Sequence, residues 1–457
     1  MNLFLPSDPR PLHFVGVGGA GMSALALIAL RRGLPVSGSD TDVSGCADLR
    51  SAGAQIFEGH AGAHVGNARA VIVSAAIPSG HVEVEAARGR GIPVVPRKEA
   101  LAGLIGTACA VGIAGTHGKT TTTVMTTEAV AAAGFAVTGI AGGRVEAWGG
   151  NARIGGEDLF VVEADEYDQA FLTLHPTIAV VNNVEADHLE CYGSLEALEH
   201  AFVTFAGRAT RALVGNDSPG AERVASRLSP GKTWRFGPGS ADLRLEAIET
   251  APGGSRAMVS VPGHGVEALR LQVPGVHNLR NATAALGVVV ALGGEPGPAL
   301  EALAAFRGVG RRFDRLGEFG GITFVDDYAH HPTELRATLA AARQAFPTHR
   351  LVAAFQPHLY SRTALHGEAM GVALAAADLA VVTDVYAARE QPIPGVTGAL
   401  VAEAARRSGA ETVYEPARTA LGKRVATLLR PGDVLLTMGA GDITRLGSEV
   451  RDLLGQA

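Results

Sequence analysis

The sequence feature that most constrains this chain is a phosphate-binding pattern near residue 115. The run Gly-Thr-His-Gly-Lys-Thr-Thr lies between an apolar segment, 108–113, and a segment of helical composition, 120–133. In such a strand–loop–helix unit, backbone N–H groups and the helix N-terminus face phosphate oxygens, Lys119 adds a positive charge, and the Thr120 hydroxyl is placed for Mg²⁺. The pattern therefore predicts a nucleotide site formed by Gly115, Thr116, His117, Gly118, Lys119, Thr120 and Thr121.

The loop departs from the strict phosphate-loop pattern at one position. That pattern has Gly where this chain has Ile113, so the match is to the shorter Gly-Thr-x-Gly-Lys-Thr form. The alternative interpretation is a glycine-rich turn that happens to contain a lysine. It is disfavoured because only four of the 39 basic residues are lysines, whereas arginine is used elsewhere.

A second glycine-rich turn follows the first predicted strand, 12–17. Residues 16–21 match the G-x-G-x-x-G fingerprint, and Asp40 ends the next strand, where such units place an acid on a ribose. Taken alone, this unit favours a nicotinamide (NAD-dependent) dehydrogenase. The alternative is that the glycines only allow a helix and a strand to pack closely.

Composition excludes several classes of protein. Hydrophobic residues make up 47% of the 457 positions and charged residues 18%, with 59 glycines, which is typical of an α/β protein. The net charge of −6 argues against a nucleic-acid partner. Three cysteines without zinc-like spacing indicate a reducing compartment, and the N-terminus has no signal pattern, so we expect a cytoplasmic protein with no membrane segment.

Alternating strand and helix patterns predict an α/β fold with three tandem domains, at 1–106, 107–309 and 310–457. The first is Rossmann-like. The central one should contain a mostly parallel sheet, with strands near 136–140, 158–163 and 177–181 and an antiparallel flank over 243–273. The third is predicted to contain strands at 322–325, 350–355, 379–383, 412–414 and 434–438 and helices at 332–345, 364–375 and 398–407.

Acidic residues end two strands beside the phosphate loop. Glu163-Ala164-Asp165-Glu166 follows one apolar run, and Asn182-Asn183-Val184-Glu185-Ala186-Asp187-His188 follows another. Ligands and bases lie at the carboxyl ends of strands in open α/β sheets. Because Mg²⁺ prefers oxygen ligands, we predict a metal site of Thr120 and Glu163, with His188 as a further ligand or just behind one.

Two loops of the third block also follow strands. Asp326-Asp327-Tyr328-Ala329-His330-His331-Pro332 precedes a helix, where its histidines could also serve as caps. Gln356-Pro357-His358-Leu359-Tyr360-Ser361-Arg362-Thr363 contains Arg362, which can bind a carboxylate through two parallel hydrogen bonds. Such loops favour a ligand site over isolated surface charges.

The ordered set of motifs resembles the Mur ligases of peptidoglycan synthesis. The resemblance covers essentially the whole chain. It rests on Gly-Thr-His-Gly-Lys-Thr-Thr-Thr, Glu-Ala-Asp-Glu, Asn-x-Glu-Ala-Asp-His, His277-Asn278-x-x-Asn281, Arg311-Arg312-Phe313 and Asp-Asp-Tyr-x-His-His-Pro, with the N-terminal Gly-Val-Gly-Gly-Ala-Gly-Met-Ser and the Gln-Pro-His-x-Tyr-Ser-Arg-Thr loop.

The resemblance implies an ATP-dependent ligase in which the first domain binds a UDP-sugar instead of NAD. ATP would phosphorylate the lactyl carboxylate of UDP-N-acetylmuramate, and the amino group of L-alanine would displace phosphate. The protein would be a monomer or homodimer. The residues implied to bind the sugar nucleotide are Gly18, Gly19, Gly21, Met22, Ser23, Asp40 and Ser74. Beyond the phosphate loop, the residues implied to bind ATP are His277, Asn281, Arg312 and Asp326. Those implied to surround the amino acid are Tyr328, His330 and Arg362, and the implied catalytic residues are Lys119, His330 and Arg312.

Two positions depart from the family pattern. Many relatives have Arg where this chain has Leu359, so Arg362 carries more of the expected contact. Sister ligases have a carbamoylated lysine fourteen residues after the metal-site histidine, where this chain has Phe202. The nearest alternative within the family attaches a whole tripeptide to the same sugar, and the loop at 356–363 argues against it.

Overall fold

The chain forms three β-sheets covered by helices in the computed structural model, which describes residues 3–4, 8–388 and 390–455. This confirms the predicted α/β class. Close contacts divide the chain into two units. One contains the chain up to Glu246 with Met258–Leu269 and Arg280–Ala304, and the other contains Ala247–Ala257, Arg270–Leu279 and the chain from Ala305 onward. Every helix among the described residues is too short or too polar to cross a lipid bilayer.

The first sheet is parallel and follows the predicted Rossmann-like alternation. Its strand order is β3-β2-β1-β4-β5. The sequence did not predict β3, a short strand with little burial. The elements are β1 Leu12–Val15, α1 Ala20–Arg31, β2 Val36–Asp40, α2 Ala47–Ser51, β3 Gln55–Glu58, β4 Ala70–Val73, α3 Val82–Gly89, β5 Val94–Pro96 and α4 Arg97–Ile105.

The second sheet contains the phosphate loop and is mostly parallel, as predicted. Its order is β15-β14-β13-β12-β11-β10-β6-β9-β7-β8. Pairing is parallel from β13 through to β7, and β7 pairs with β8 in the antiparallel sense. The elements are β6 Cys109–Ala114, α5 Lys119–Ala132, β7 Thr138–Val145, β8 Gly150–Arg153, β9 Leu159–Glu163, β10 Ile178–Val181, α6 Leu189–Tyr192, α7 Leu195–Gly207, β11 Arg211–Gly215, α8 Pro219–Ser226, β12 Thr233–Pro238, β13 Leu243–Ala251, β14 Gly254–Val261, β15 Gly265–Leu271, α9 Val276–Ala291 and α10 Pro296–Ala305.

The third sheet has the order β16-β17-β21-β18-β19-β20 and one antiparallel edge, β16. The predicted bounds of α11, β18, α13 and β20 are confirmed to the residue. The elements are β16 Asp314–Phe319, β17 Ile322–Asp327, α11 Pro332–Ala345, β18 Arg350–Phe355, α12 Tyr360–Leu374, β19 Leu379–Val382, α13 Gly398–Arg407, β20 Thr412–Tyr414, α14 Arg418–Leu428, β21 Asp433–Met438 and α15 Leu446–Gly455.

A buried carboxylate ties the first sheet to its neighbouring helix. Glu83, on α3, is inaccessible to solvent and accepts hydrogen bonds from the Ser39 hydroxyl (2.6 Å) and the Ala61 N–H (3.2 Å). His64 Nδ1 lies 3.1 Å from Oε1, and His13 Nε2 lies 3.6 Å from Oε2. Burial alone would raise the pKa of Glu83, but His13, Ser39 and Ala61 outweigh it and lower the pKa from 4.5 to about 2.

Replacing Glu83 by Gln should therefore lower stability in a pH-dependent way. A depressed carboxyl pKa contributes stability above the unfolded-state pKa of 4.5, and this contribution is lost as the pH falls through about 2. We expect Glu83→Gln to lower the free energy of unfolding at pH 6 by about 3 kcal/mol. Urea titrations from pH 6 to pH 2.5 should show the difference from wild type shrinking below about pH 4.5.

The matched control is Glu85→Gln, because Glu85 lies on the same helix but is exposed. This variant should unfold like the wild type at every pH. A difference for Glu83→Gln that stays constant down to pH 2.5 would contradict the ionised, hydrogen-bonded state described for Glu83.

Candidate active site

Strand β6 leads into the phosphate loop from the middle of its sheet. β10 pairs with β6 on one side, with Val181 opposite Ala114, and β9 pairs on the other, with Glu163 opposite Ile113. The carboxyl ends of these parallel strands lie at one edge of the sheet. The predicted acidic segments at Glu163 and at 182–188 therefore flank the loop.

Two positions of the loop require glycine, because neighbouring atoms lie close to them and because their backbone φ angles are positive. Gly115 has φ +137°, and a Cβ there would lie 3.0 Å from the Cβ of Asn182. Gly118 has φ +78°, and a Cβ there would lie 2.9 Å from Oδ1 of Asn281. Any side chain at either position would be both strained and obstructed. The structure thus places predicted residue Asn281 directly against the phosphate loop.

Side chains from the segment after β10 hold the loop in shape. The His117 N–H donates to Asn183 Oδ1 (2.8 Å), and the Glu185 N–H donates to the Thr116 hydroxyl (2.9 Å). Asn182 Nδ2 donates to the hydroxyl of Thr122 (2.9 Å) on the first turn of α5. These bonds fix the loop backbone in a conformation whose N–H groups can receive an anion. The sequence alone did not identify the asparagines in this role.

The loop lysine pairs with a buried acid of the segment that follows β9, a pairing that the sequence did not predict. Lys119 Nζ donates to Glu166 Oε1 (2.8 Å) and Oε2 (2.7 Å), and Glu166 is buried. Burial alone would lower the pKa of Lys119, but the charges of Glu166 and Asp165 outweigh it and raise the pKa. Lys119 is therefore a cation at neutral pH.

Two of the three predicted metal ligands, Thr120 and Glu163, offer oxygen donors at the ends of the elements that border the loop. The Gly142 N–H donates to Glu163 Oε2 (2.6 Å), and Thr120 is on the first turn of α5. His188 has φ +53°, with Nδ1 lying 3.4 Å from Glu190 Oε1. The oxygen donors of Glu163 and Thr120 are of the type that Mg²⁺ prefers. The His188 ring is held between two carboxylates, those of Asp187 and Glu190.

Phe202 lies in the core behind this edge and not among the polar groups. Its side chain is inaccessible to solvent and packs edge-on against Phe171, with ring centroids 5.1 Å apart. Phe202→Ala should lower the free energy of unfolding by about 3–5 kcal/mol without selectively weakening the binding of Mg²⁺. Because a phenylalanine cannot form the carbamate of the sister ligases, the activity of the wild type should not depend on bicarbonate. Denaturant unfolding and Mg²⁺ titrations with and without bicarbonate measure both.

The control for this variant is His200→Ala, on the exposed face of the same helix. It should leave the free energy of unfolding nearly unchanged. A bicarbonate requirement in the wild type would show that the metal ligands are wrongly assigned.

The glycine fingerprint of the first sheet forms a second group of predicted residues. The Gly18 N–H donates to Asp40 Oδ2 (2.8 Å), so the predicted ribose acid already holds the loop. Gly19 precedes α1, Met22 and Ser23 are buried on it, and a Cβ on Gly16 would contact Ser74. A Cβ on Gly21 would lie 2.6 Å from the guanidinium of Arg97. Arg97, missed by sequence reasoning, brings a cation to this loop.

In the second unit, the residues around 311–330 form a compact polar cluster. Asp326 is buried and accepts hydrogen bonds from the hydroxyls of Thr437 (2.6 Å) and Thr444 (2.8 Å). The guanidinium groups of Arg311 and Arg312 both lie over the Tyr328 ring, at 4.8 and 4.9 Å. Tyr328 and Arg312 are thus brought together.

His330 lies beside this cluster, with Nδ1 2.9 Å from the Tyr328 carbonyl and 3.2 Å from Glu334 Oε2. Both neighbours are hydrogen-bond acceptors, which favours a hydrogen on Nδ1. Burial raises the pKa of Asp327 to about 6, against the lowering by Arg312 and by two backbone N–H groups. The cluster therefore contains a carboxyl with a raised pKa and an imidazole.

Arg362 belongs to the same region through His358. Its Nη1 lies 3.3 Å from His358 Nδ1, and the His358 and His330 rings are 6.2 Å apart. Leu359, the family departure, has φ +70° and is buried, so it does not replace the missing arginine contact. His277 lies on α9, against Gly275.

Family models match the three parts of the chain in order. The model described as "Mur ligase family, catalytic domain" matches residues 11–108, "Mur ligase middle domain" matches 113–289, and "Mur ligase, glutamate ligase domain" matches 311–441.

Two curated relatives are similar over nearly their whole length. The UDP-N-acetylmuramate–L-alanine ligase of Thermobifida fusca is 43% identical over 475 residues, covering 100% of both chains. The enzyme of the same name from Salinibacter ruber is 44% identical, covering 97% of this chain and 95% of its own.

Two solved structures share the fold. The UDP-N-acetylmuramate-alanine ligase MurC of Thermotoga maritima superimposes with a TM-score of 0.84 at 30% identity, covering 98% of this chain and 99% of its own. A murein peptide ligase from Psychrobacter arcticus gives a TM-score of 0.75 at 24% identity, with the same coverage.

Proposed function

Because the chain belongs to the Mur ligase family, we propose that it joins L-alanine to the lactyl carboxylate of UDP-N-acetylmuramate at the expense of ATP, in peptidoglycan precursor synthesis. The observation that carries the proposal is similarity above 40% identity over full length to relatives of that name. A dehydrogenase would use the glycine fingerprint but would leave Lys119 and the polar cluster of the second unit without a role.

The proposed reaction has two steps, and both balance without an external oxidant or reductant. A lactyl carboxylate oxygen attacks the γ-phosphorus of ATP, ADP leaves, and an acyl phosphate forms. The L-alanine amine then attacks the acyl carbon, inorganic phosphate leaves, and a base takes the amine proton. The charge that spreads over the transferred phosphoryl group is what Lys119 stabilises. Arg312 would support the phosphates.

His330 is the residue we assign to the amine proton. Its Nδ1 lies within hydrogen-bonding distance of two acceptors, the Tyr328 carbonyl and Glu334 Oε2, so in the neutral ring Nε2 is the nitrogen that can take up a proton. Tyr328 and Arg362 would bind the amino acid beside it, and the Arg362 guanidinium can bind the α-carboxylate through two parallel bonds. Asp326, His277 and Asn281 are assigned to the adenosine and phosphates of ATP.

Thr120, Glu163 and His188 would hold Mg²⁺, which supplies positive charge to the phosphates when bound. The first domain, 1–106, would hold the sugar nucleotide through Gly18, Gly19, Gly21, Met22, Ser23, Asp40 and Ser74, followed by the ATP domain, 107–309, and the amino-acid domain, 310–457. We place the reaction in the cytoplasm, where ATP is available.

The test is ADP release measured with each substrate omitted in turn. The proposal predicts release only when both UDP-N-acetylmuramate and L-alanine are present. Turnover with a tripeptide but not L-alanine would favour the recycling ligase, and NADH oxidation would favour a dehydrogenase.

A further inference from the structure

The predicted phosphate-binding cation already has a counter-ion in the structure. Lys119 Nζ donates to both carboxylate oxygens of Glu166, and the Glu166 side chain is 2% exposed. A lysine ammonium has three N–H donors, so Glu166 occupies two of them. A phosphate bound in the loop would therefore have to share this cation with Glu166 or displace Glu166 from it.

The backbone of Glu166 is anchored by residues outside the loop. The Tyr192 hydroxyl donates to the Glu166 carbonyl (2.5 Å). Two residues further on, Lys98 Nζ donates to Asp168 Oδ2 (2.8 Å) and to its carbonyl (3.1 Å). Asp168 and Gln169 have φ near +50°, an unfavourable conformation for residues other than glycine. These contacts tie the backbone at and just after Glu166 to Tyr192 and Lys98 and not to the phosphate loop.

Separation of the pair would be costly for electrostatic reasons. Glu166 is buried, so removing its counter-ion leaves an uncompensated charge in a poorly solvated site. Asp165 and Glu163, whose charges also act on Lys119, add to the negative potential of this edge. Incoming phosphates would meet that potential at short range.

We propose that Glu166 is a positioning residue that holds Lys119 when no nucleotide is bound, is displaced from it by nucleotide phosphates, and thereby limits the affinity of the loop for phosphate. The inference rests on the proposed function only in that Lys119 contacts the phosphates of a nucleotide. Glu166 thus makes part of the nucleotide binding energy depend on breaking an internal ion pair.

The test is calorimetric titration of Glu166→Gln with ADP and, separately, with adenosine, at fixed Mg²⁺ and ionic strength. Glutamine preserves the shape but removes the charge. We expect the ADP dissociation constant to fall by at least about tenfold, equivalent to about 1.4 kcal/mol, while that for adenosine is unchanged. Adenosine is the discriminating ligand because it lacks the phosphates that compete for Lys119.

Glu199→Gln is the matched control protein. Glu199 is also buried and ion-paired, with Arg223 Nη2 at 2.6 Å, but it lies on α7. This variant should lose stability without changing ADP affinity. Glu166→Asp is the second test variant, because aspartate is one methylene shorter and cannot hold Nζ through both oxygens from the anchored backbone. Glu166→Asp should also lower the ADP dissociation constant, and its result tests the proposal if Glu166→Gln does not fold.

Unchanged or weaker ADP binding in a folded Glu166 variant would overturn the inference, as would equal shifts for ADP and adenosine. The proposed function fails separately: a wild-type protein that does not ligate, while Glu166→Gln binds ADP more tightly, would refute the ligase and leave the role of Glu166 standing.

Discussion

Lys119→Ala is expected to abolish ligation while UDP-N-acetylmuramate still binds. The cation is the group placed to stabilise charge on the transferred phosphoryl, and its loss should raise the barrier by about 3 kcal/mol or more. The glycine fingerprint around Gly18 belongs to a different sheet, so sugar-nucleotide affinity should be nearly unchanged. Initial rates of phosphate release and calorimetry with UDP-N-acetylmuramate measure the two effects.

Loss of Lys119 also leaves Glu166 buried without its partner, which should lower stability by about 3–5 kcal/mol. Measurements must therefore be made below the unfolding transition of the variant. Lys232→Ala, at an exposed position of the same domain, is the control and should ligate normally. Near-normal turnover by folded Lys119→Ala would refute the assignment of the ATP site.

Arg362→Ala should raise the KM for L-alanine far more than the KM for ATP. The guanidinium is buried beside His358, so a carboxylate bound there would form a desolvated ion pair. Truncating one member of such a pair costs about 2–5 kcal/mol, so we expect the L-alanine KM to rise at least about thirtyfold. Steady-state kinetics with each substrate varied in turn provide the measurement.

Arg336→Ala is the matched control, because Arg336 is exposed on the neighbouring helix α11 and should leave both KM values unchanged. Arg362→Lys retains the charge but not the two parallel donors, so its defect should be intermediate. Equal increases in both KM values for Arg362→Ala would indicate general damage and would remove this loop from the amino-acid site.

The phosphate-loop unit was predictable because its signals are local. An apolar strand, glycines and a following helical segment occur in one run, and the structure gives β6, positive φ at Gly115 and Gly118, and α5. The strand that ends at Glu163 and the strand that ends just before Asn182 were likewise predicted from short apolar runs. Parallel pairing with β6 brings the ends of both strands beside the loop.

The groups that the sequence did not reveal depend on tertiary approach. Glu166 becomes the partner of Lys119 only because the chain after β9 turns back toward α5, 47 positions away in sequence. The acidic segment that contains Glu166 was recognised in the sequence, but its pairing with Lys119 was not. Arg97 approaches Gly21 in the same way, and no local pattern marks Arg97. Strand β16 was missed for another reason: most of its residues are exposed, so it lacks the apolar alternation from which strands are predicted.

Ligation through an acyl phosphate is tested most directly by following the oxygen atoms of the lactyl carboxylate. UDP-N-acetylmuramate labelled with oxygen-18 at that carboxylate is incubated with ATP and L-alanine, and the inorganic phosphate is analysed by mass spectrometry. Ligation through an acyl phosphate predicts that one labelled oxygen passes into each phosphate as the amide forms, with equal amounts of ADP and product. Phosphate that carries no label, or ADP release that does not require the sugar nucleotide, would contradict the account.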